Sequence, residues 1–265
     1  MLSKLLETTR LRVAEREKQR PMDKLLATMG SATQTACKSS LGEIMQHNKG
    51  MAVIAEIKRS SPSKGPLAPE ISPALLAQDY QTAGTAAISV LTEPTGFGGS
   101  DDDLIQVLGA VSCPVLRKDF ILTPYQVVET AVLGADILLL IAAALSDSQL
   151  ALLQRTAMQM NLQCLLEVHN QEELHRVLKL PLDPARHYIG INNRNLKNFR
   201  VSLDTTFSLA PKVPSELAVI SESGVRSRDQ VEKLESIGVK GILVGESLVT
   251  AKNPGEVIRS LKGEG

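Results

Sequence analysis

In the segment Val53-Ile54-Ala55-Glu56-Ile57-Lys58 an apolar run carries a carboxylate and an ammonium two residues apart. If the run is a strand, Ile54, Glu56 and Lys58 share one face and Val53, Ala55 and Ile57 the other. Related endings recur along the chain. Leu116-Arg117-Lys118-Asp119 ends an apolar run in charge, and Leu165-Leu166-Glu167 ends one in a carboxylate. Asn192-Asn193-Arg194 supplies amides and a guanidinium, and Ser221-Glu222-Ser223-Gly224 a carboxylate followed by a turn. Lysines and carboxylates held close together suit proton transfer, and a lysine can neutralise negative charge growing on a carbonyl oxygen. A carboxylate near two lysines stays ionised and can accept protons. Arg117 and Asp119 have the opposite parity to Lys118 and read as structural partners facing away from it.

The elements that must position these groups follow one grammar after Met51: a short run of Val, Ile and Leu, a polar turn, then an amphipathic stretch. The runs are 52–58, 86–91, 114–118, 136–141, 163–168, 188–192, 218–221 and 241–244. Continuous apolar runs suit parallel strands buried on both faces. The stretches between them carry helix signals. Thr123-Pro124 and Asn253-Pro254 read as caps with proline in the first turn, Ser227 with Gln230 reads as a capping box, and Gly84, Gly134 and Gly238 mark helix ends. Eight βα units predict a closed (β/α)₈ barrel over residues 51–265. An open doubly wound sheet is the alternative, but no Gly-rich dinucleotide loop follows the first run. Residues 1–50 form a helical extension of the same structural domain. Leu2, Leu5, Leu6 and Thr9 make a helical stripe that Pro21 should end, and 23–29 suits a second short helix. This extension covers either the barrel floor or the catalytic mouth.

In such a barrel the strand ends share one rim, where barrel enzymes place their chemistry. A single Lys–Glu pair there is equally well read as a structural ion pair. Glu56, Lys58, Lys118, Glu167, Asn192 and Arg194 together would cost several kcal/mol to desolvate, on the order given for buried charges, unless a ligand or water satisfied them. The loops after the last two strands, with Ser223, Gly224, Gly245 and Glu246, suit a phosphate, because phosphate-binding barrels use those loops and a short extra helix. Residues 246–250 supply the helix. A carboxylate repels phosphate, so Glu246 is expected to offer only its backbone N–H, with its side chain in solvent. The loop Arg59-Ser60-Ser61-Pro62-Ser63-Lys64-Gly65 reads as a lid in which Ser61 and Lys64 clamp the anion.

Bulk properties narrow the partners. The 265 residues balance 29 basic against 29 acidic side chains, so no global field favours nucleic acid or an anionic membrane. The stretch 131–145 is too short and too polar for a membrane span. Cys37, Cys113 and Cys164 are odd in number and widely spaced, which suits incidental thiols in a reducing, cytoplasmic setting and no metal site. The amino-terminal segment lacks a signal peptide's apolar core. The chain ends soon after the last helix, so no fused second enzyme is expected.

Taken in order, Ala55-Glu56-Ile57-Lys58-Arg59-Ser60-Ser61-Pro62-Ser63, Leu116-Arg117-Lys118-Asp119-Phe120, Leu166-Glu167-Val168-His169, Ile191-Asn192-Asn193-Arg194-Asn195-Leu196 and Ile220-Ser221-Glu222-Ser223-Gly224 closely resemble the indole-3-glycerol-phosphate synthase family. The likeness runs from about Ile54 to Val249. It implies conversion of 1-(2-carboxyphenylamino)-1-deoxyribulose 5-phosphate to indole-3-glycerol phosphate, carbon dioxide and water, without cofactor or metal. By the same resemblance Lys118 is the general acid, Lys58 meets the substrate carboxylate, and Glu56 and Glu167 exchange protons. Asn192, Arg194 and Glu222 position hydroxyls and acids, and Ser61, Ser223, Gly224, Gly245 and Glu246 hold the phosphate. The expected partner is one phosphorylated small molecule, with no nucleic acid or membrane, bound by a monomer. A phosphoribosyl isomerase, an epimerase or an idle phosphate-binding barrel would share the phosphate loops but have less use for Lys118.

Overall fold

A computed structural model describes residues 2–28, 40–47, 50–196 and 198–264. Cys37, and Met29 at the expected end of the second helix, lie outside them. Eight strands close a parallel barrel: β1 Ala52–Ile57, β2 Ala87–Leu91, β3 Val115–Lys118, β4 Ile137–Ile141, β5 Gln163–Val168, β6 His187–Asn192, β7 Ala218–Glu222 and β8 Gly241–Val244. Each strand pairs with its sequence neighbour, and β8 returns to β1. All eight apolar runs are strands. They are buried almost throughout, because an outer layer of helices covers the face turned away from the barrel axis. Lys58 falls one residue beyond β1, while Glu222 is drawn into β7 by pairing with Asn192 and Leu243. Among the described residues no helix is long and apolar enough to cross a membrane.

Helix starts differ in two places from the sequence expectation. Thr123 and Ser227 make no side-chain cap. In each case a downstream glutamine reaches past the cap residue: Gln126 Oε1 accepts from Leu122 N at 2.8 Å, and Gln230 Oε1 from Arg226 N at 2.7 Å. Asn253 does cap its helix, and a full capping box forms at Ser146 and Gln149, a pair the sequence reading passed over. Gly84, Gly134 and Gly238 end helices with φ of 79°, 93° and 86°, left-handed values that suit glycine.

The amino-terminal extension covers both ends of the barrel. The helix Leu2–Gln19 stops before Pro21 and lies across the rim formed by the strand ends. Leu2 and Leu5 pack inward, and Arg12 reaches Glu93 at 3.2 Å, just beyond β2. Arg16 reaches Glu129 at 3.2 Å. The helix Leu41–His47 sits at the opposite end. Its Leu41 and Gly42 N–H groups donate to Gln163 and Tyr188, at the starts of β5 and β6.

Arg117, inside the helix layer as its parity requires, joins these parts. Its guanidinium is fully buried and meets Asp101 and Glu129 at 2.9 Å each, with Thr92 and Thr130 as further acceptors and Asp119 at 3.7 Å. The cation therefore never lacks a counter-charge, and Lys118 on the other face is fixed by its neighbour's network. Arg117→Leu should strand Asp119 and Glu129 without their cation. We expect a loss of about 3–5 kcal/mol, measured as a lowered urea midpoint.

Candidate active site

The strand ends gather their polar side chains around Lys118. Its Nζ lies 3.7 Å from Glu167 Oε2, 3.7 Å from Glu222 Oε2 and 4.0 Å from Glu56 Oε2. Lys58 Nζ donates to Glu56 Oε1 at 2.6 Å. The register explains the convergence. Leu91 pairs with Lys118, Ile141 with Glu167 and Asn192 with Glu222, so inward-facing residues of β1, β3, β5 and β7 share one layer below the mouth. The layer needs room. A Cβ at Gly190 on β6 would overlap Glu222 Oε1, and one at Gly245 would overlap Glu56 Oε1. Gly245 is therefore glycine because of the Glu56–Lys58 pair, not only to admit a ligand.

Three carboxylates and two ammonium groups cannot all be charged here without a net negative charge in a dry site. Burial opposes charge on Glu56, but Lys58 and Lys118 outweigh it and hold the carboxyl below its ordinary range. Burial likewise opposes charge on Glu167, yet Lys118, His169 and Asn192 together bring it down to about 2. Glu222 goes the other way. Burial and then the Glu167 carboxylate push its pKa well above the ordinary carboxylate range, which favours the protonated acid. Among the described residues Glu167 Oε2 and both Glu222 oxygens have no hydrogen-bond partner, and one proton shared between the two acids meets that need. Burial disfavours the Lys118 ammonium, but Glu167, Glu222 and Glu56 raise its pKa above that of an ordinary lysine.

Two cavities open from this layer. One is largely apolar, with Leu2, Leu5, Leu91, Phe97, Phe120, Leu139 and Ile141 in its wall. The other is polar and runs past Ser223, Gly224 and Arg226 to Gly245, Glu246 and Ser247. Glu56, Lys58, Lys118, Arg194 and Ser223 line both. Asn192 accepts from the Arg194 N–H at 3.0 Å, and Arg194 Nη1 lies 3.4 Å from Ser63 in the first loop.

Ser61, expected at the phosphate, lines the apolar cavity, where the loop turns back as a hairpin pairing Ser60–Ser61 with Gly65–Pro66. Its hydroxyl is buried without a partner among the described residues. The Glu246 side chain is not left to solvent, since the same hairpin brings Lys64 Nζ to 2.5 Å from Glu246 Oε1. The short helix is there, at Glu246–Val249, beginning directly after Gly245. The sequence reading also missed the apolar wall, whose leucines and phenylalanines look like ordinary core in sequence. It missed Arg226, which no spacing singled out, and it left Ser247 and His169 without a role. His169 Nε2 stands 3.2 Å from Glu167 Oε1.

A family model described as indole-3-glycerol phosphate synthase matches residues 2–261. The chain belongs to the indole-3-glycerol phosphate synthase family. Members named so include a protein of Lachnoclostridium phytofermentans, 40% identical over 274 residues, which span 99% of this chain and 98% of the relative. One from Polaromonas naphthalenivorans is 49% identical over 215 residues, 80% of each chain. Family membership makes this chain a decarboxylating lyase of tryptophan biosynthesis. Among solved structures, 3-hexulose-6-phosphate synthase from Salmonella typhimurium superposes with a TM-score of 0.64 at 12% identity, covering 81% of this chain and 98% of that one. At that identity the likeness speaks for the barrel fold alone.

The position of Glu222 depends on the space left by Gly190. Gly190→Ala should displace Glu222 and lower kcat by more than about tenfold, with a stability loss of about 1–3 kcal/mol. A wild-type kcat in the folded variant would show that the position of Glu222 is immaterial to turnover.

Proposed function

We propose that this lyase closes the pyrrole ring of 1-(2-carboxyphenylamino)-1-deoxyribulose 5-phosphate, with Lys118 as the acid at the reacting carbonyl. The observation that carries this reading is the place of Lys118: one ammonium, ringed by Glu56, Glu167 and Glu222, where an apolar and a polar cavity meet. The substrate has the same division. Its aniline ring fits the wall of Leu91, Phe97, Phe120 and Ile141, and its phosphate fits the end of β7 and β8, leaving the sugar carbonyl between them. Binding at both ends folds the chain of the substrate, so that ring carbon and carbonyl carbon are held together.

The proton traffic follows from the charges. As the ring carbon bearing the carboxylate attacks the carbonyl, Lys118 donates a proton to its oxygen, which becomes a hydroxyl. Loss of carbon dioxide returns the bonding electrons to the benzene ring. The hydroxyl then leaves as water, with Lys58 or Glu222 as candidate donors, and Glu167 accepts the proton released as the pyrrole ring becomes aromatic. Lys58 also faces the substrate carboxylate before it leaves, while Glu56 holds Lys58 in place. Asn192 and Arg194 orient the sugar hydroxyls. Ser223, Gly224 and the N–H groups after Gly245 bind phosphate, joined by Ser247, and Ser61 is better assigned to the carboxylate and ring end. Glu246 contributes its N–H, and its carboxylate stays neutralised by Lys64.

The reading needs no cofactor, no nucleic acid and no membrane. We take a monomer as the acting form and the cytoplasm as its setting. Leu2 and Leu5 belong to the cavity wall, which supports treating residues 1–50 and 51–265 as one structural domain.

Offered the anthranilate-derived substrate, the purified protein should produce indole fluorescence. A folded protein that yields none would defeat the assignment. Lys118→Ala should abolish turnover while inorganic phosphate still binds, as followed by calorimetry. Glu167→Gln should fold normally and turn over more than about tenfold more slowly, at the lower side of general acid–base effects. An unchanged rate in either variant removes that residue from proton transfer.

A further inference from the structure

His169 follows directly on β5, and its ring lies between two carboxylates. Nε2 is 3.2 Å from Glu167 Oε1, an ion-pair separation outside hydrogen-bond geometry, and Nδ1 is hydrogen-bonded to Glu173 Oε2 at 3.1 Å. The side chain is about nine-tenths covered. Glu173 is itself held rigidly. Its Oε2 accepts from the His169 backbone N–H at 2.8 Å, and its Oε1 accepts from Asn170 Nδ2 at 2.6 Å. Asn170 also caps the helix Gln171–Val177 that carries Glu173. The result is a fixed line running from the helix, through the ring, to the carboxylate beside Lys118.

A neutral imidazole has one N–H and one bare lone pair. With a carboxylate oxygen near each nitrogen, a neutral ring would point its lone pair at a negative charge. Only the imidazolium offers a donor to both sides. Glu167 and Glu173 are the ionisable groups that face the ring, and beyond Glu167 stand Lys118 and Glu222, with Asn192 between the strands. Glu167 therefore lies between two cations, Lys118 and His169. Glu222 has Lys118 alone.

We propose that His169 is a positioning residue of this active site: clamped as an imidazolium by Glu173, it orients Glu167 and keeps it the anionic member of the buried acid pair, leaving the shared proton on Glu222. This rests on the reading that Glu167 accepts a proton in the reaction. The asymmetry gives two chemically identical side chains, 3.7 Å either side of one lysine, opposite duties as acceptor and donor. The charge preference of the ring agrees, since burial opposes the imidazolium but Glu167 and Glu173 raise its pKa to about 10.

The test begins on the unaltered full chain. Nitrogen-15 NMR of the histidine rings should show both His169 nitrogens protonated at neutral pH, where a free imidazole with a pKa of about 6.5 is mostly neutral. In His169→Gln the cation next to Glu167 is gone, so the Glu167 pKa rises and the base is lost at higher pH as the solution is acidified. The acidic limb of kcat should move up by about one pH unit and kcat should fall about tenfold because Glu167 loses its orientation, with KM nearly unchanged. Glu173→Gln leaves the ring in place but weakens its clamp. It should shift the limb in the same direction by less, and let the ring lose its proton at lower pH. A neutral His169 in the spectrum overturns the proposal, as does a wild-type acidic limb in the folded His169→Gln protein. If that variant fails to fold, the spectrum and the Glu173→Gln profile decide. The underlying reading fails separately, through a Glu167→Gln enzyme of unaltered rate.

Discussion

The mouth of the barrel is governed by the need to neutralise charge where water is scarce. An isolated ion there would be prohibitively costly, and only paired, well-satisfied charges persist. Two lysines and three glutamates meet that condition by sharing counter-charges and, at Glu222, by a raised affinity for a proton. The compensation keeps each group in the protonation state its task needs. Lys118 retains a proton to give to a carbonyl oxygen that becomes anionic, and Glu167 stays deprotonated and able to accept one.

A second ionic system stands behind the first, and the two scarcely mix. Arg117 and its acids lie among the helices, while Lys118 and its acids lie in the barrel. Strand alternation separates them by a single residue. The outer network also ties down the amino-terminal helix, since Arg16 shares Glu129 with Arg117. That helix brings Leu2 and Leu5 over the apolar cavity. The amino-terminal helix, Arg117 on β3 and the wall of the apolar cavity are thus linked through shared ion pairs. Burial matters because it strengthens every electrostatic interaction within the layer.

Much of this was legible in the chain itself. Eight apolar runs with helical stretches between them specified the barrel, because burial on two faces leaves an unmistakable unbroken pattern. The placement of Glu56, Lys58, Lys118 and Glu167 at run ends specified which residues face the mouth, since alternation with period two is a local property of a strand. What stayed hidden depends on contacts between distant segments. The apolar wall is made of leucines and phenylalanines that differ from core residues only in which surface they meet. The surroundings of the Glu246 side chain stayed hidden because a hairpin within the first loop brings Lys64 to it.

The sequence by itself determined the order of elements, the face on which each charged side chain stands and, through its motif resemblance, the family. Tertiary structure alone decided the protonation pattern. Glu56, Glu167 and Glu222 are the same chemical group and look alike in sequence, and their different affinities for a proton come from the number of cations around each and from shared burial. Those are sums over residues far apart along the chain, and only barrel closure brings the terms together.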